Sequence, residues 1–396
     1  MSGGAPVRAD ANKVRRTYKK AWLFRVVARQ ARRQKGKIIM KEILQDYSYT
    51  ELVSLVEEMG EKKFRARQLF HGLMQGRRIS DITDLSNAFK ERLLTRFEDE
   101  PVRIAETLRS SDGTEKYLFE LADGNIIEGV LMKYKYGNTQ CVSTQVGCRM
   151  NCAFCASGLS GLIRNLTSGE ILSQILAVNA KLGGTTEKRA VTNVVLMGSG
   201  EPLDNYAHVV RFLRNVTAEG GIAISARNIS LSTCGLVPKM YDLAEEGIPV
   251  NLTVSLHSPD DEERARIMPV AKTYKIADIL KGCDYYFEKT GRRYIFEYSL
   301  IEGENADREH AEKLLALLKG RPCHVNLIRL NEVKEKNLSG VSEKAAYRFL
   351  GVLEKGGLSA TLRRRIGADI GGACGQLRAR RIRERKNDMH SEDTPR

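Results

Sequence analysis

The sequence predicts an α/β chain: a partial (β/α)6 barrel, preceded by a small helical domain and followed by a C-terminal extension. Three observations carry this expectation. From Cys141 onward, short runs rich in Val, Ile and Leu alternate about six times with helical stretches, the pattern of a parallel sheet with helices outside it. Glycine and polar residues gather where those runs end, as ligand-binding loops do in β/α folds. Upstream, residues 40–104 show helical periodicity alone.

In chain order, residues 1–39 form a basic arm without clear periodicity that holds the sole tryptophan, Trp22. With 12 Lys and Arg against the single acid Asp10, it reads as a disordered, solvated tail or as a grip on phosphate. The regular pattern begins at Met40. Ser48 and Glu51 have capping-box spacing ahead of an apolar run. In "EKKFRARQLFHGLMQG", Phe64, Leu69, Phe70 and Leu73 recur at helical spacing, with Lys62, Lys63, Arg65 and Arg67 among them. This is an amphipathic bundle, or a basic module that touches RNA. Residues 105–140 link it to the barrel through a hairpin, "EKYLFELADGNIIEGVLMKY", turning at Asp123 and Gly124. Glu128, in the second strand, faces either solvent or a pocket.

The barrel spans residues 141–345. Its strands are the run at Cys141 and then "VTNVVLM", "NISLST", "PVNLTVSL", "RYIFEYSLI" and "HVNLIRL". "TSGEILSQILAVNAKL" is an intervening helix, with a second capping box at Thr167 and Glu170. Past the strand ends come "GSGEP" (198–202), "STCG" (232–235), "LHS" (256–258), Glu302 with Gly303, and Arg329 with Asn331. Residues 346–396 form the C-terminal segment with its basic tail.

Charge and composition restrict the function. Of the net +15, residues 1–39 supply +11 and residues 361–396 supply +5, so the rest sums to −1. The basic excess sits at the two ends and makes nucleic acid one candidate partner. No run of about 18 uncharged apolar residues predicts a membrane span, and the start lacks the apolar centre of a signal peptide. A cytoplasmic protein is expected. There, thiols stay reduced and clustered cysteines bind metal or do chemistry.

The cysteines cluster in "CVSTQVGCRMNCAFC" (141–155), where Cys148, Cys152 and Cys155 have the spacing C-x3-C-x2-C. Structural zinc takes four ligands, commonly from paired short motifs, and no second C-x2-C follows. Thiolates also hold iron–sulfur clusters, normally four per cluster; three would leave one iron open to bind a ligand. On residues alone, Cys141 is a strand-core thiol and Cys374 a free thiol in a glycine-rich tail. Cys234, Cys283 and Cys323 have no role beyond packing.

The three-cysteine motif, with "GSGEP" one strand later, resembles the radical S-adenosylmethionine (SAM) superfamily. Within it, "CVSTQVGCRMNCAFCASG", "GSGEP", "LSTCGLVP", "VNLTVSLHS", "HVNLIRLN" and "GADIGGACGQLR" follow the order of the RlmN family from about Met40 to Arg380. The resemblance implies a monomeric radical SAM methyltransferase with a 4Fe–4S cluster on Cys148, Cys152 and Cys155. It uses two SAM molecules per turnover, and its substrates are adenosine 2503 of 23S rRNA and adenosine 37 of tRNA, methylated at C2. One SAM methylates Cys374. A radical made from the second activates that methyl group, which adds to the base, and Cys141 releases the product by forming a disulfide with Cys374.

The resemblance further implies that Gly200 and Glu201 meet the SAM amino group. Ser232, the Ser255–Leu256–His257 segment and Asn331 would hold its ribose and adenine, and Glu128 would move a proton near the target base. A reductase or flavodoxin would supply electrons. Arg363, Arg364, Arg365, Arg378 and Arg380 surround the tail thiol and are candidate RNA contacts. Two readings remain beside this one: C8 methylation of the same rRNA adenosine, as in the Cfr family, and a zinc-stabilised RNA-binding protein without catalysis. Two departures stand out. Ser199 replaces a methionine common in the family, at a position expected to face away from SAM. "DIGGAC" replaces Asp-Ile-Asp-Ala-Ala-Cys, which loses an Asp, gains Gly372 and implies a looser Cys374 loop.

Overall fold

The computed structural model describes residues 41–331 and 338–370. The basic arm, Cys374, Arg378 and Arg380 lie outside the described residues. Three helices open the chain: α1 (Tyr49–Glu58), α2 (Phe64–Met74) and α3 (Asn87–Arg96). Both capping-box bonds form at the start of α1: Glu51 N–H donates to Ser48 Oγ and Ser48 N–H donates to Glu51 Oε2. Leu69, Phe70 and Leu73 are buried as expected. Phe64 is not: it opens α2, is 52% exposed, and lies under the Arg65 guanidinium.

Next come four antiparallel strands: β1 (Val102–Arg109), β2 (Glu115–Leu121), β3 (Ile126–Tyr134) and β4 (Gly137–Cys141). The β2–β3 turn falls at Asp123 and Gly124, where Gly124 takes a φ of 83° and Asp123 Oδ1 accepts from Asn125 N–H. The expected hairpin is therefore present, but β1 begins at Val102, inside the segment read as helical. A short antiparallel clip, β5 (Gln145–Gly147) with β6 (Leu162–Asn165), encloses the loop of Cys148, Cys152 and Cys155. A Cβ on Gly147 would sit 2.0 Å from the Gly161 carbonyl oxygen, and φ there is 84°, so only glycine closes the clip.

The remaining chain alternates: α4 (Ser168–Lys181), β7 (Asn193–Leu196), α5 (Tyr206–Thr217), β8 (Ile229–Thr233), α6 (Val237–Glu245), β9 (Asn251–Ser255), α7 (Asp261–Ile267), α8 (Ile276–Thr290), β10 (Tyr294–Leu300), α9 (Arg308–Leu318), β11 (Cys323–Arg329), α10 (Glu343–Lys355) and β12 (Ala360–Leu362). Strands β4, β7, β8, β9, β10 and β11 are the six expected ones, and they pair in parallel in that order. The short β12 adds a seventh beside β11. With β1–β3 at the other end, one sheet of ten strands results.

The opening helices are not a separate body. One apolar core runs from Leu44 through Phe89 and Ile175 to Ala360. Asp46 fastens the joint by accepting from Ser168 Oγ and Gly169 N–H at the start of α4, both at 2.6 Å, where an acceptor satisfies otherwise unpaired amides. Beyond β12 the chain passes Ile366, packed with Val130, Met132 and Tyr134 of β3, and reaches the β1–β2 turn. Residues 363–370 thus bridge the two ends of the sheet. Among the described residues no helix is long and apolar enough to cross a membrane.

Candidate active site at the strand ends

A cavity of about 350 Å³ lies at the carboxyl ends of the parallel strands. Cys141, Cys148, Cys152 and Cys155 all border it, together with Gly200 and Glu201. So do Ser232, Ser255, His257 and Asn331, and the first three tail arginines, Arg363, Arg364 and Arg365. Leu256 differs from expectation. Its side chain is fully buried in the main core, because residues 255 and 257 turn toward the cavity and strand alternation sends 256 the other way. Glu128 is also absent from the lining. It lies on the cavity side of β3, one pleat repeat before Val130, which pairs with Cys141 of β4.

Glu128 is buried in an ion pair that the sequence did not announce. Lys116 Nζ stands 3.1 Å from its Oε2, and neither side chain exceeds 3% exposure. Ser143, also unassigned from sequence, knots this strand to the loop after β7: its Oγ donates to the Glu128 carbonyl at 2.7 Å and accepts from Ser199 N–H at 3.1 Å. The loop at 198–201 is pressed onto residues 142–145. A Cβ on Gly200 would fall 2.7 Å from Gln145 N and Thr144 Oγ1, and φ there is 112°. Gln145 Oε1 accepts from Glu201 N–H at 2.9 Å. Ser199 is buried outside the cavity lining, with its hydroxyl 3.4 Å from that of Ser157.

Glu201 is the buried carboxylate of the site. It accepts from Leu203 N–H at 3.0 Å and Cys234 N–H at 2.8 Å. Burial raises its carboxyl above the usual range, against the pull of the Cys234 and Leu203 amides. A buried carboxylate beside an open cavity fits an ammonium group. His257 adopts a φ of 60°, and its Nδ1 accepts from Ser299 N–H at 2.9 Å. Burial lowers its pKa to about 3, so the ring is neutral with its proton on Nε2. The Phe154 ring meets it edge-on at 4.6 Å.

Arg264, fully buried, is a third residue that sequence reading missed. Its guanidinium donates to the carbonyls of Cys234 (2.7 Å), Ser255 (3.1 Å) and Leu256 (3.0 Å), tying the loop after β8 to the loop after β9. Only its place in "RARIMP", shortly after "LHSP", was visible in sequence. Cys234, assigned to packing, borders the cavity and belongs to a small cluster with Cys152 and Met268. Cys283 and Cys323 do lie in the main core.

The donor set fits an iron–sulfur cluster. Cys148 is pushed up to about 12, chiefly by burial, and Cys152 is raised by burial and by the charges of Cys155 and Cys148. Thiols in such a setting release their protons to a bound metal. Among the described residues no three His, Cys, Asp or Glu side chains gather tightly enough to hold one ion. The thiols ring a cavity. That suits a cluster, where each thiolate takes a different iron, better than zinc, whose ligand sulfurs crowd within about 4 Å of one another.

Comparison with known proteins agrees with this geometry. Residues 142–315 match the radical SAM superfamily, and residues 43–98 match the ribosomal RNA large subunit methyltransferase N-terminal domain. A Clostridium botulinum protein described as a "probable dual-specificity RNA methyltransferase RlmN" is 49% identical, over 86% of this chain and 96% of its own. A Clostridium perfringens protein of the same description is 48% identical, over 87% and 99%. The solved structure of a radical SAM methyltransferase from Sphaerobacter thermophilus superposes with a TM-score of 0.81 at 40% identity, covering 84% of this chain and 98% of that one. A superfamily defined by a 4Fe–4S cluster and SAM leaves no place for the zinc-binding alternative, and the extent and level of identity make the chain a member of the RlmN family of radical SAM RNA methyltransferases.

Proposed function

We propose that this enzyme methylates C2 of adenosine in RNA, at position 2503 of 23S rRNA and position 37 of tRNA, with Cys374 as methyl carrier and Cys141 as its resolving partner. The observation that carries the reading is that Cys141 borders the same cavity as Cys148, Cys152 and Cys155, with Glu201 beside them. A thiol unneeded for the cluster therefore faces the reaction space.

Cys148, Cys152 and Cys155 would hold the cluster, leaving one iron for the amino and carboxylate groups of SAM. Glu201 and the Gly200 backbone would orient that amino group. Ser232, Ser255, His257 and Asn331 border the space left for ribose and adenine, with His257 offering its Nε2 proton. When bound, the two groups supply a methyl group and the radical chemistry needed at a carbon that is not nucleophilic. Cys374 gives up its thiol proton as its sulfur takes the methyl group. Cys141 later gives up its thiol proton and its Sγ attacks Cys374 Sγ; the disulfide forms as the bond from Cys374 to the RNA-bound carbon breaks, and that carbon leaves with the bonding pair and takes up a proton to become the methyl group. A dithiol reductant then restores both thiols. Lys116 holds the Glu128 carboxylate behind the cavity lining, on the cavity side of β3, from where it would move a proton to or from the base through water.

Arg363, Arg364 and Arg365 at the mouth carry the charge an RNA loop needs, and the target base enters unpaired or flipped. The enzyme acts as a cytoplasmic monomer supplied with electrons by a reductase or flavodoxin. The test is anaerobic reconstitution with labelled SAM and both RNAs, followed by nucleoside analysis. C2-methyladenosine is expected from wild type and none from Cys374→Ala with its cluster intact; C8-methyladenosine would overturn the C2 assignment.

A further inference from the structure

The turn between β3 and β4 carries an aromatic ring that the apolar core does not use. Lys135 and Tyr136 form that turn, and the pairing of Tyr134 with Gly137 closes it. Gly137 takes a φ of 134°, and a Cβ there would sit 2.1 Å from Thr192 Oγ1. The turn is thus pressed against the chain entering β7 and held in one shape. The rings of Tyr134 and Tyr136 stack in parallel, with centroids 4.9 Å apart and planes 7° apart. Tyr134 is half-buried: it packs on the cluster of Val130, Met132 and Cys141, and its hydroxyl donates to Met132 Sδ at 3.6 Å. Tyr136 is 70% exposed, more than any other large apolar side chain among the described residues. One face of its ring lies on Tyr134, and the other faces solvent.

From this arrangement we propose that Tyr136 is a stacking platform for an RNA base next to the target adenosine. The inference rests on the reading that an adenosine of RNA enters the cavity. Along the inner face of β3, Val130 and Met132 border the cavity, and Tyr134 stands one pleat repeat further on. Met132, Tyr134 and Tyr136 therefore make one continuous wall from the cavity to the surface. A strand that turns one base into the cavity can lay a neighbouring base on the outer end of that wall. The charge around the ring suits the same ligand. Lys135 beside it is exposed, and Arg363, Arg364 and Arg365 border the cavity. Partial burial raises the Tyr136 phenol, and the Arg363 charge is near enough to pull against that rise. Single-stranded RNA is gripped by this pairing of ring and cation: phosphates meet the cations, and bases, each with a π face, stack on the ring. A docking protein asks for a broader apolar patch, whereas Tyr136 stands between Lys135 and Arg363.

The test uses the full-length, cluster-loaded enzyme and a fluorophore-labelled 23S rRNA fragment that contains position 2503. Wild type is compared with Tyr136→Ala and Tyr136→Phe, in binding by anisotropy and in steady-state methylation. Tyr136→Ala should weaken RNA binding about tenfold, the order of one stacked base. KM for RNA should rise by a similar factor, while kcat at saturating RNA, SAM affinity and cluster content hold. Tyr136→Phe keeps the ring and should stay within about twofold of wild type. The salt dependence of binding should keep its slope, because no charge is removed. Abasic substitution of the flanking bases, one at a time, completes a double-mutant cycle: at one position the losses from the abasic RNA and from Tyr136→Ala should fail to add. Unchanged RNA binding by Tyr136→Ala, Tyr136→Phe as weak as Tyr136→Ala, or additive losses at every flanking position overturns the proposal. Slower cluster reduction by a flavodoxin, with RNA binding unchanged, also overturns it and gives the patch to a protein. Tenfold weaker binding by Tyr136→Ala, with no C2-methyladenosine from wild type, would instead sink the C2-methylation reading and leave the platform in force.

Discussion

Replacing Lys116 with Met should be far more costly than a surface lysine would suggest. Lys116 is fully buried, and its ammonium group stands 3.1 Å from a Glu128 carboxylate only 3% exposed. Removing one member of such a pair strands the other charge in a poorly solvated site, at a cost of about 3–5 kcal/mol. Removing both, with apolar side chains of similar volume, costs far less and can even stabilise. Lys116→Met should therefore lower stability by about 3–5 kcal/mol, and Lys116→Met/Glu128→Leu should recover most of it. Equilibrium urea unfolding gives the difference from the midpoint at constant slope. Methylation assays add the functional half: the double variant should fold yet lose activity, because the carboxylate itself is gone. A single Lys116→Met variant within about 1 kcal/mol of wild type would refute the buried-pair argument.

Three further outcomes follow from the same geometry. Gly200→Ala should abolish SAM binding and destabilise the fold by several kcal/mol, since its Cβ would meet Gln145 and Thr144 atoms at 2.7 Å and φ is 112°; isothermal titration with SAM measures it. Arg264→Lys should weaken SAM binding at least tenfold while cluster content holds, because one ammonium cannot span the Cys234, Ser255 and Leu256 carbonyls that the guanidinium joins. His257 is neutral when folded, with a pKa near 3, while an unfolded histidine titrates near 6.5. Its contribution is fully present above about pH 6.5 and is lost as pH falls from there toward 3, by about 2 kcal/mol at pH 5. His257→Gln should flatten that part of the stability profile in urea melts at pH 7 and pH 5.

What could be read in the sequence was local or periodic. The six parallel strands, the hairpin turn at Asp123 and Gly124, and the capping boxes of Ser48 and Thr167 all announce themselves within a few residues, and all formed. Cys148, Cys152 and Cys155 could be found by spacing because one short loop carries them. What was missed depends on contacts far along the chain. Strand β12 has three residues, too few to show alternation, and exists because β11 offers an edge. Lys116 reads as a solvent-facing strand residue until the β2–β3 register sets Glu128 diagonally beside it. Arg264 reads as one charge in "DDEERARI" until three carbonyls from two loops converge on it. Cys234 looks like a packing thiol until the loop after β8 turns it beside Cys152. Phe64 fits the helical period but precedes the packed turn, so the Arg65 guanidinium covers it instead of the core.

The two halves of the site answer different physical demands. The wall that would face SAM is built from loops whose backbones are clamped on every side: Gly198 and Gly200 pressed on residues 142–145, Ser143 bonded to both Glu128 and Ser199, Arg264 across two strand ends. Such over-determined loops hold a reacting atom to within a fraction of an ångström, as positioning for group transfer requires. The reaction proposed for the carrier thiol, which would meet a methyl donor, a base and Cys141 in turn, makes a different demand. The described segment that precedes it, residues 363–370, is held on the β1–β2 turn by hydrogen bonds to the exposed Asp112 and Asp369 carboxylates, each modest in net strength and readily exchanged for water. Backbone-clamped loops on the cofactor side and water-exchangeable bonds in the segment ahead of the carrier answer the two halves of the proposed reaction, in which a carbon would pass stepwise through a cavity of about 350 Å³.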